Sequence, residues 1–232
     1  MGEFEARTTP VARTSATGGF GLKLVPGSYC LTIQAPGFGA QTFKNVAVAA
    51  GATKSLAFTV APNLASLASG ASVVSMSSQD DGLPASFLLD DTEATVWSTK
   101  DGAPNDDGPD ERVTVKLAKP ATISTIQVSA FKNTTSARFA ALEDFTFQVS
   151  DDGVLWKTVK TGGFGYQAPR PTAPDLHYKS FALTTPTHAA YVRFFIDSVQ
   201  GETLTYAQAA ELQVFGNAAG VSPTAPPARR TG

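Results

Sequence analysis

FLLDDTEATVWST, residues 87 to 99, places two carboxylates, Asp90 and Asp91, at the end of an apolar run and follows them with Thr92, Thr95 and one of the two tryptophans, Trp97. So many oxygen donors beside a large apolar ring fit two arrangements. In one, the stretch is an Asx-type turn whose carboxylates face water. In the other, the oxygens surround a hard cation such as calcium, which takes about six to eight oxygen ligands in a flexible shell of carboxylates and carbonyls. Trp97 would then form the apolar floor of the loop.

Outward from this stretch the chain alternates with a period of two: SVVSM (72–76), RVTVKLA (112–118), TISTIQVSAF (122–131), FTFQVS (145–150), LWKTVKT (155–161), YKSFAL (178–183), AYVRFFID (190–197) and ELQVFG (211–216). Such segments, with no sustained helical period between them, predict an all-β jelly roll or sandwich. Asp152-Gly153 is the strongest hairpin signal in the chain. Upstream, GGFGLKLVPGSYCLTIQAPGF and FKNVAVAAGATKSLAFTV are short alternating runs broken by Pro-Gly and Gly, which predicts a separate small antiparallel β unit. The alternation stops at Ala61-Pro62-Asn63, where proline restricts the residue before it. The expected domains are therefore 1–61 and 62–217, with 218–232, rich in Ala, Pro, Gly and Ser, as a disordered tail or linker.

Composition narrows the partners. The 232 residues are 42% hydrophobic with 15 Phe, enough for packed cores. Net charge is −2, and no Lys/Arg cluster precedes Arg229-Arg230, so the electrostatic footprint of a nucleic-acid or anionic-membrane binder is missing. No apolar run reaches the ~18 residues of a membrane span. The single cysteine, Cys30, lies in a strand pattern and is expected as a buried strand thiol. Met1-Gly2-Glu3-Phe4 reads as an added remnant, so the chain is expected to be a fragment of a longer protein.

LLDDTEATVWST, FTFQVSDDGVLWKTV, AYVRFFIDS and AAELQVFG, in that order, resemble the coagulation-factor 5/8 type C, or discoidin, domain. They are close to the bacterial carbohydrate-binding modules of family 32. The upstream order Gly-Gly-Phe-Gly-Leu, Val-Pro-Gly-Ser-Tyr, Ala-Pro-Gly-Phe, Val-Ala-Ala-Gly-Ala-Thr resembles a truncated carboxypeptidase-regulatory-like domain. The resemblance implies a galactose-binding-like jelly-roll β-sandwich behind a small immunoglobulin-like β-sandwich. It also implies a secreted, extracellular setting and an attached catalytic domain in the parent protein. The family's common Asp-Gly-Asp/Asn step reads Asp90-Asp91-Thr92 here. Asp91 thus replaces a glycine that often adopts a left-handed backbone, a conformation aspartate tolerates better than most residues.

A structural calcium site is implied with it, built from the side chains of Asp90, Thr95 and Glu211 and carbonyls around Phe87, Thr92 and Ala210. Sugar recognition in such modules uses loops at one end of the sandwich, with an aromatic ring on a pyranose face. The matching loops here are 130–139, 162–170 and 200–206. Phe164, Tyr166 and Tyr206 are the candidate stacking rings, and Lys132, Asn133 and Arg138 the candidate polar contacts. A loop phenylalanine also commonly closes the end of a core. Phe139, between small residues, fits that role better, and His177 and His188 fit surface positions. The acidic run 101–111 has the Gly and Pro content of a solvated loop and lacks the spacing of a calcium-binding loop.

Motifs for nucleophilic, metallopeptidase or nucleotide chemistry are absent, so the chain is expected not to be an enzyme. The expected function is non-catalytic carbohydrate binding, which targets an attached glycosidase or peptidase to a glycan or glycoprotein. The alternative is a protein-binding, adhesive or purely structural accessory domain of a secreted metallopeptidase.

Overall fold

Alternating β-branched or aromatic and polar residues put every second side chain on one face of a strand, and burial selects the face that turns inward. The protein is represented by a computed structural model that describes residues 12–15, 17–100, 111–130, 141–165, 178–200 and 206–218. Its strands are β1 (Gly27–Ala35), β2 (Phe38–Val48), β3 (Ser72–Met76), β4 (Trp97–Ser98), β5 (Glu111–Ser129), β6 (Leu142–Ser150), β7 (Lys157–Gly163), β8 (Tyr178–Val199), β9 (Gln208–Ala209) and β10 (Glu211–Ala218). Among the described residues helical structure is limited to 3-10 turns at Leu67–Ser69 and Ala85–Leu89.

The main sheet runs β10-β5-β8-β6-β7, with β3 also on β5, and its pairings are antiparallel. The periodicity predicts two strands over 112–131 and two over 178–197, but each pair is one long strand in the structure. Both bend at a corner. The β5–β8 register shifts between Lys116 and Ala121 and again between Ile123 and Thr125. Pro120 and Pro186 lie at these shifts, and each lacks the N–H that would continue a regular ladder. Before the corner, β5 pairs with β3 and with the late part of β8; after it, β5 pairs with β10 and the early part of β8.

The bend turns one hydrogen-bonded sheet into the two layers of a jelly-roll β-sandwich, with a single core between them. Phe145 and Phe147 of β6 and Phe194 of β8 are fully buried, as are Ile123 and Ile126 of β5 and Leu212 and Val214 of β10. Contact across the layers is direct: the Phe145 and Phe181 rings meet edge to face at 4.8 Å. Each fully buried phenylalanine contributes roughly 1.5–3 kcal/mol of transfer free energy.

By compactness the chain divides into residues 1–33 with 42–59, and residues 34–41 with 60–232. In the smaller unit β1 pairs with β2, and the Phe43 and Phe58 rings meet tilted at 41° with centroids 4.1 Å apart. Cys30 of β1 is exposed, not buried as the alternation predicts, because its side chain falls on the uncovered face of this two-stranded sheet. The larger unit includes Gln34–Gln41, which lies inside the stretch 1–61 that the sequence assigns to the first domain. Main-chain hydrogen bonds fix this segment: Gly39 N to Ala61 O at 2.9 Å and Asn63 N to Gly37 O at 2.9 Å. Ala40 N donates to Gln213 Oε1 at 3.0 Å, and Ala40 O accepts from Gln127 Nε2 at 2.9 Å. Gly39 lies so close to Phe215 that a Cβ there would meet the ring at 2.2 Å.

Asp91 is the polar centre of this arrangement. Its φ is +64°, in the left-handed region, and the residue is 6% exposed. The carboxylate accepts from Gly37 N (2.7 Å), Ser66 Oγ (2.6 Å) and Asn63 Nδ2 (2.8 Å). Asn63 passes the tie on, since its Oδ1 accepts from Ala65 N and Val214 N. Replacing Asp91 by glycine keeps the backbone conformation but leaves three buried donors without an acceptor. Asp91→Gly should cost roughly 3 kcal/mol, a fall in Tm of about 6–12 °C for a unit of this size. Asp91→Ala should fall further because it adds left-handed strain. Thermal melts of both variants check the order; equal melting of wild type and Asp91→Gly would remove the carboxylate from this role.

Candidate cation and ligand site

The 3-10 turn Ala85–Leu89 buries Ala85, Leu88 and Leu89 and ends at Asp90. Asp90 Oδ1 accepts from Thr92 N at 3.3 Å and Oδ2 from the Thr95 hydroxyl at 2.7 Å. Thr92 spends its own hydroxyl on Ala94 N, at 3.1 Å. Trp97 is fully buried, and its indole N–H donates to Ser78 O at 3.1 Å. Trp97 also pairs with Ala209 across β4 and β9, which ties the acidic loop to the start of the last strand. There Glu211 stands opposite Ser129 of β5, and Ala210 N donates to Ser129 O at 2.9 Å.

The loop and the last strand thus bring Asp90, Thr95 and Glu211 together, with Phe87, Thr92 and Ala210 in their immediate chain neighbourhood. The carboxyl of Glu211 is fully buried, and neither of its oxygens has a partner in hydrogen-bond geometry. Burial holds this carboxyl well above the usual carboxylate range, and the charges of Asp90 and then Asp91 push it further; nearby amides of Asp91 and Thr92 offset part of the shift. Asp90 is raised by burial, with the Thr95 hydroxyl and the Thr92 amide pulling the other way. No Lys, Arg or His among the described residues forms an ion pair with Asp90, Asp91 or Glu211. A buried acid in this state needs a proton or a cation.

The donor set suits calcium better than a transition metal. No three His, Cys, Asp or Glu side chains of the described residues converge as a metal cluster. Two carboxylates, a hydroxyl and carbonyls are instead the mixed oxygen set of a hard cation. Reading the sequence did not place Glu93 or Tyr178 here. Glu93 is 6% exposed and accepts from the Ser129 hydroxyl. The Tyr178 hydroxyl is buried without a hydrogen-bond partner, and burial, then the charges of Glu211 and Glu93, hold it far above the usual phenol range. Tyr178 lies in no recognisable motif, and Glu93, although inside the acidic stretch, carries no local sign of its partner; register, Tyr178 opposite Ser129 and Ser129 opposite Glu211, together with the Ser129–Glu93 hydrogen bond, assembles them.

Described residues flanking the three stretches read as ligand-binding are hydrogen-bonded to one another. Gln200 Nε2 donates to Gly165 O at 3.0 Å and to Leu142 O at 3.4 Å, and Gln200 N donates to Ala141 O. Phe164 N donates to Glu143 O at 2.7 Å, and Ala141 bridges to Gln208. The flanks of all three loops therefore adjoin one another. Phe164 is half-buried, edge-on to Phe181 at 6.2 Å, with Lys179 Nζ 5.7 Å from its ring centre. Tyr206 is half-buried. Lys132, Asn133, Arg138, Phe139, Tyr166 and His177 lie outside the described residues. His188 is at the surface, 2.7 Å from Asp151. No helix of the described residues is long and apolar enough to cross a membrane.

Residues 72–212 match the F5/8 type C domain family, and residues 5–61 match the carboxypeptidase regulatory-like domain. Among solved structures the chain is similar to CBM32-3 from a family 31 glycoside hydrolase of Clostridium perfringens: 24% identity, 63% of this chain and 91% of that chain covered, TM-score 0.53. It is also similar to the C-terminal domain of a chitobiase from Bacteroides fragilis (19%, 64% and 94%, TM-score 0.50). A putative chitobiase fragment from Bacteroides thetaiotaomicron gives 15%, 66% and 92%, with TM-score 0.53. At these identities the likeness is one of fold. No curated protein matches. The jelly roll, its acidic loop tied to the last strand, and a family match over more than half of the residues agree: the chain belongs to the F5/8 type C domain family, behind a carboxypeptidase regulatory-like segment.

Proposed function

We propose that the chain is a non-catalytic carbohydrate-binding accessory region of a secreted bacterial hydrolase, with a structural calcium ion beneath its ligand loops. The observation that carries the reading is the convergence, in a domain of this family, of three loop flanks at one end of the jelly roll through Gln200, Phe164 and Ala141. Similarity in fold to a carbohydrate-binding module of a glycoside hydrolase supports it. A module of this kind raises the local concentration of an attached enzyme at its substrate, so that modest single-site affinity suffices. Binding would set a pyranose face on a loop ring and its hydroxyls on loop donors, with Tyr166, Phe164 and Tyr206 as rings and Lys132, Asn133 and Arg138 as polar partners.

The orphaned carboxyl of Glu211 supports the ion. Asp90, Thr95 and Glu211 would hold it by side chain, and Phe87, Thr92 and Ala210 by carbonyl. When bound, calcium supplies a positive charge that offsets the buried carboxylates and staples the loop to β10. At about 100-fold excess over Kd it should stabilise the chain by about 2.7 kcal/mol, a rise in Tm of about 5–10 °C. Glu211→Gln, which removes the buried charge, should melt at or above the wild-type temperature in calcium-free buffer and gain nothing from calcium. Melting curves with chelator and with millimolar calcium test both; a wild-type chain indifferent to calcium would remove the ion from this account.

Recognition itself is tested by presenting the calcium-loaded chain to a glycan array beside Tyr166→Ala and Phe164→Ala. Selective binding to wild type is expected, with at least a tenfold loss in Tyr166→Ala at unchanged Tm. Phe164→Ala touches the core edge, so its melting curve is read alongside. If the folded chain binds no glycan, the carbohydrate reading gives way to a protein partner or a purely architectural role.

A further inference from the structure

Along β8 the alternation has a second consequence, on the face turned away from the core. Val192, Phe194 and Ile196 are buried, so Tyr191, Arg193 and Phe195 point outward, and all three are half-buried there. Register places Arg193 mid-sheet, opposite Thr114 of β5 on one side and Gln148 of β6 on the other. Its guanidinium carbon sits 3.7 Å from the ring centre of Trp156, and its Nε donates to Thr114 Oγ1 at 3.3 Å. The terminal nitrogens of Arg193 have no hydrogen-bond partner among the described residues. Two register pairs away, on the same face, Lys116 Nζ lies 5.8 Å from the ring centre of Tyr191.

Neither Arg193 nor Lys116 has a carboxylate within ion-pair distance among the described residues. Asp197, the acid on the same face of β8, is engaged by the Thr146 hydroxyl at 2.7 Å. Burial and then the charge of Arg112 push the Arg193 guanidinium below its usual range, and no carboxylate pulls it back. Arg193 and Lys116 each stand beside an aromatic ring of this face without a carboxylate partner among the described residues, which leaves both open to an anion brought from outside. A planar guanidinium held by stacking is pre-organised for a bidentate carboxylate.

We propose that this outer sheet face is a second binding platform, specific for a carboxylate-bearing saccharide, with Arg193 and Lys116 taking the carboxylates and Trp156 and Tyr191 taking the pyranose faces. The ligand class rests on the carbohydrate-binding reading above, but the site uses none of the loop residues. An antiparallel face with half-buried rings beside Thr114 and Gln148 suits a sugar chain better than a peptide, which needs a groove or a free strand edge.

The test is a tryptophan-emission titration of the full chain with oligogalacturonate, its neutral methyl ester, and poly-L-glutamate as an anion without sugar rings. Trp97 is fully buried, so Trp156 is the reporter. Oligogalacturonate should quench emission, with affinity at least tenfold weaker for Arg193→Gln and several-fold weaker for Lys116→Gln, and unchanged for Tyr166→Ala. Lys116 is exposed, so that variant keeps the evidence readable if Arg193→Gln is unstable. The proposal is overturned if wild type binds no oligogalacturonate at low ionic strength or binds poly-L-glutamate or the methyl ester equally well. It is also overturned if Tyr166→Ala abolishes binding while Arg193→Gln and Lys116→Gln retain it. Failure of the loop variants on neutral glycans alone would concern the first site and leave this one standing.

Discussion

Buried negative charge at the Asp90-Asp91 turn is the constraint around which the larger unit is arranged. Two adjacent carboxylates leave one turn in different directions and are satisfied by different means. Asp91, in a left-handed backbone, sends its carboxylate to three donors and so binds residues 37, 63 and 66 to one point. Asp90 faces Thr95 and the buried, unpartnered Glu211. A carboxylate with three good donors is stable in the interior, whereas a buried one that nearby amides relieve only in part is held above the usual carboxylate range. The first therefore acts as a rivet, and the second stays in an unfavourable setting as a bare charge.

This division explains a departure from the usual Asp-Gly-Asp/Asn step. Glycine would supply the backbone conformation at position 91 and nothing else. Aspartate supplies that conformation at a small cost and adds three hydrogen bonds, through which Gln34–Gln41 becomes part of the larger unit. The close approach of Gly39 to Phe215 and the amide exchange among Ala40, Gln127 and Gln213 reinforce the same segment.

The bent strands determine where the chemistry is placed. Because β5 and β8 turn the corner near Pro120 and Pro186, their far ends return to the same end of the sandwich. The described residues at the ends of β7 and β8 meet the start of β6 there, and the end of β5 lies beside Glu211. The corner also leaves the late half of β8 with one face in the core and the other toward solvent. The same period of two that buries Phe194 thus presents Tyr191 and Arg193 outside.

How much of this was legible follows from the range of each interaction. Strand identity, the hairpin at Asp152-Gly153 and the acidic turn beside Trp97 are local, because periodicity, turn chemistry and adjacent side chains express them within a few residues. Resemblance in four ordered segments extended this to the jelly roll and to Glu211 as the distant companion of Asp90. Lost to sequence were the fusion of paired segments into single bent strands, the partners of Asp91, the arrival of Glu93 and Tyr178 beside Glu211, and the stacking of Arg193 on Trp156. These depend on register and strand crossing, which bring residues such as Gly37 and Asp91, Glu93 and Ser129, or Trp156 and Arg193 together from distant parts of the chain, and no single stretch is sensitive to them. By itself the sequence determined which residues alternate, turn and carry charge, since those are properties of neighbours along the chain. Only the tertiary structure decided which charges meet and which are left without partners, since that depends on how distant strands come to lie side by side.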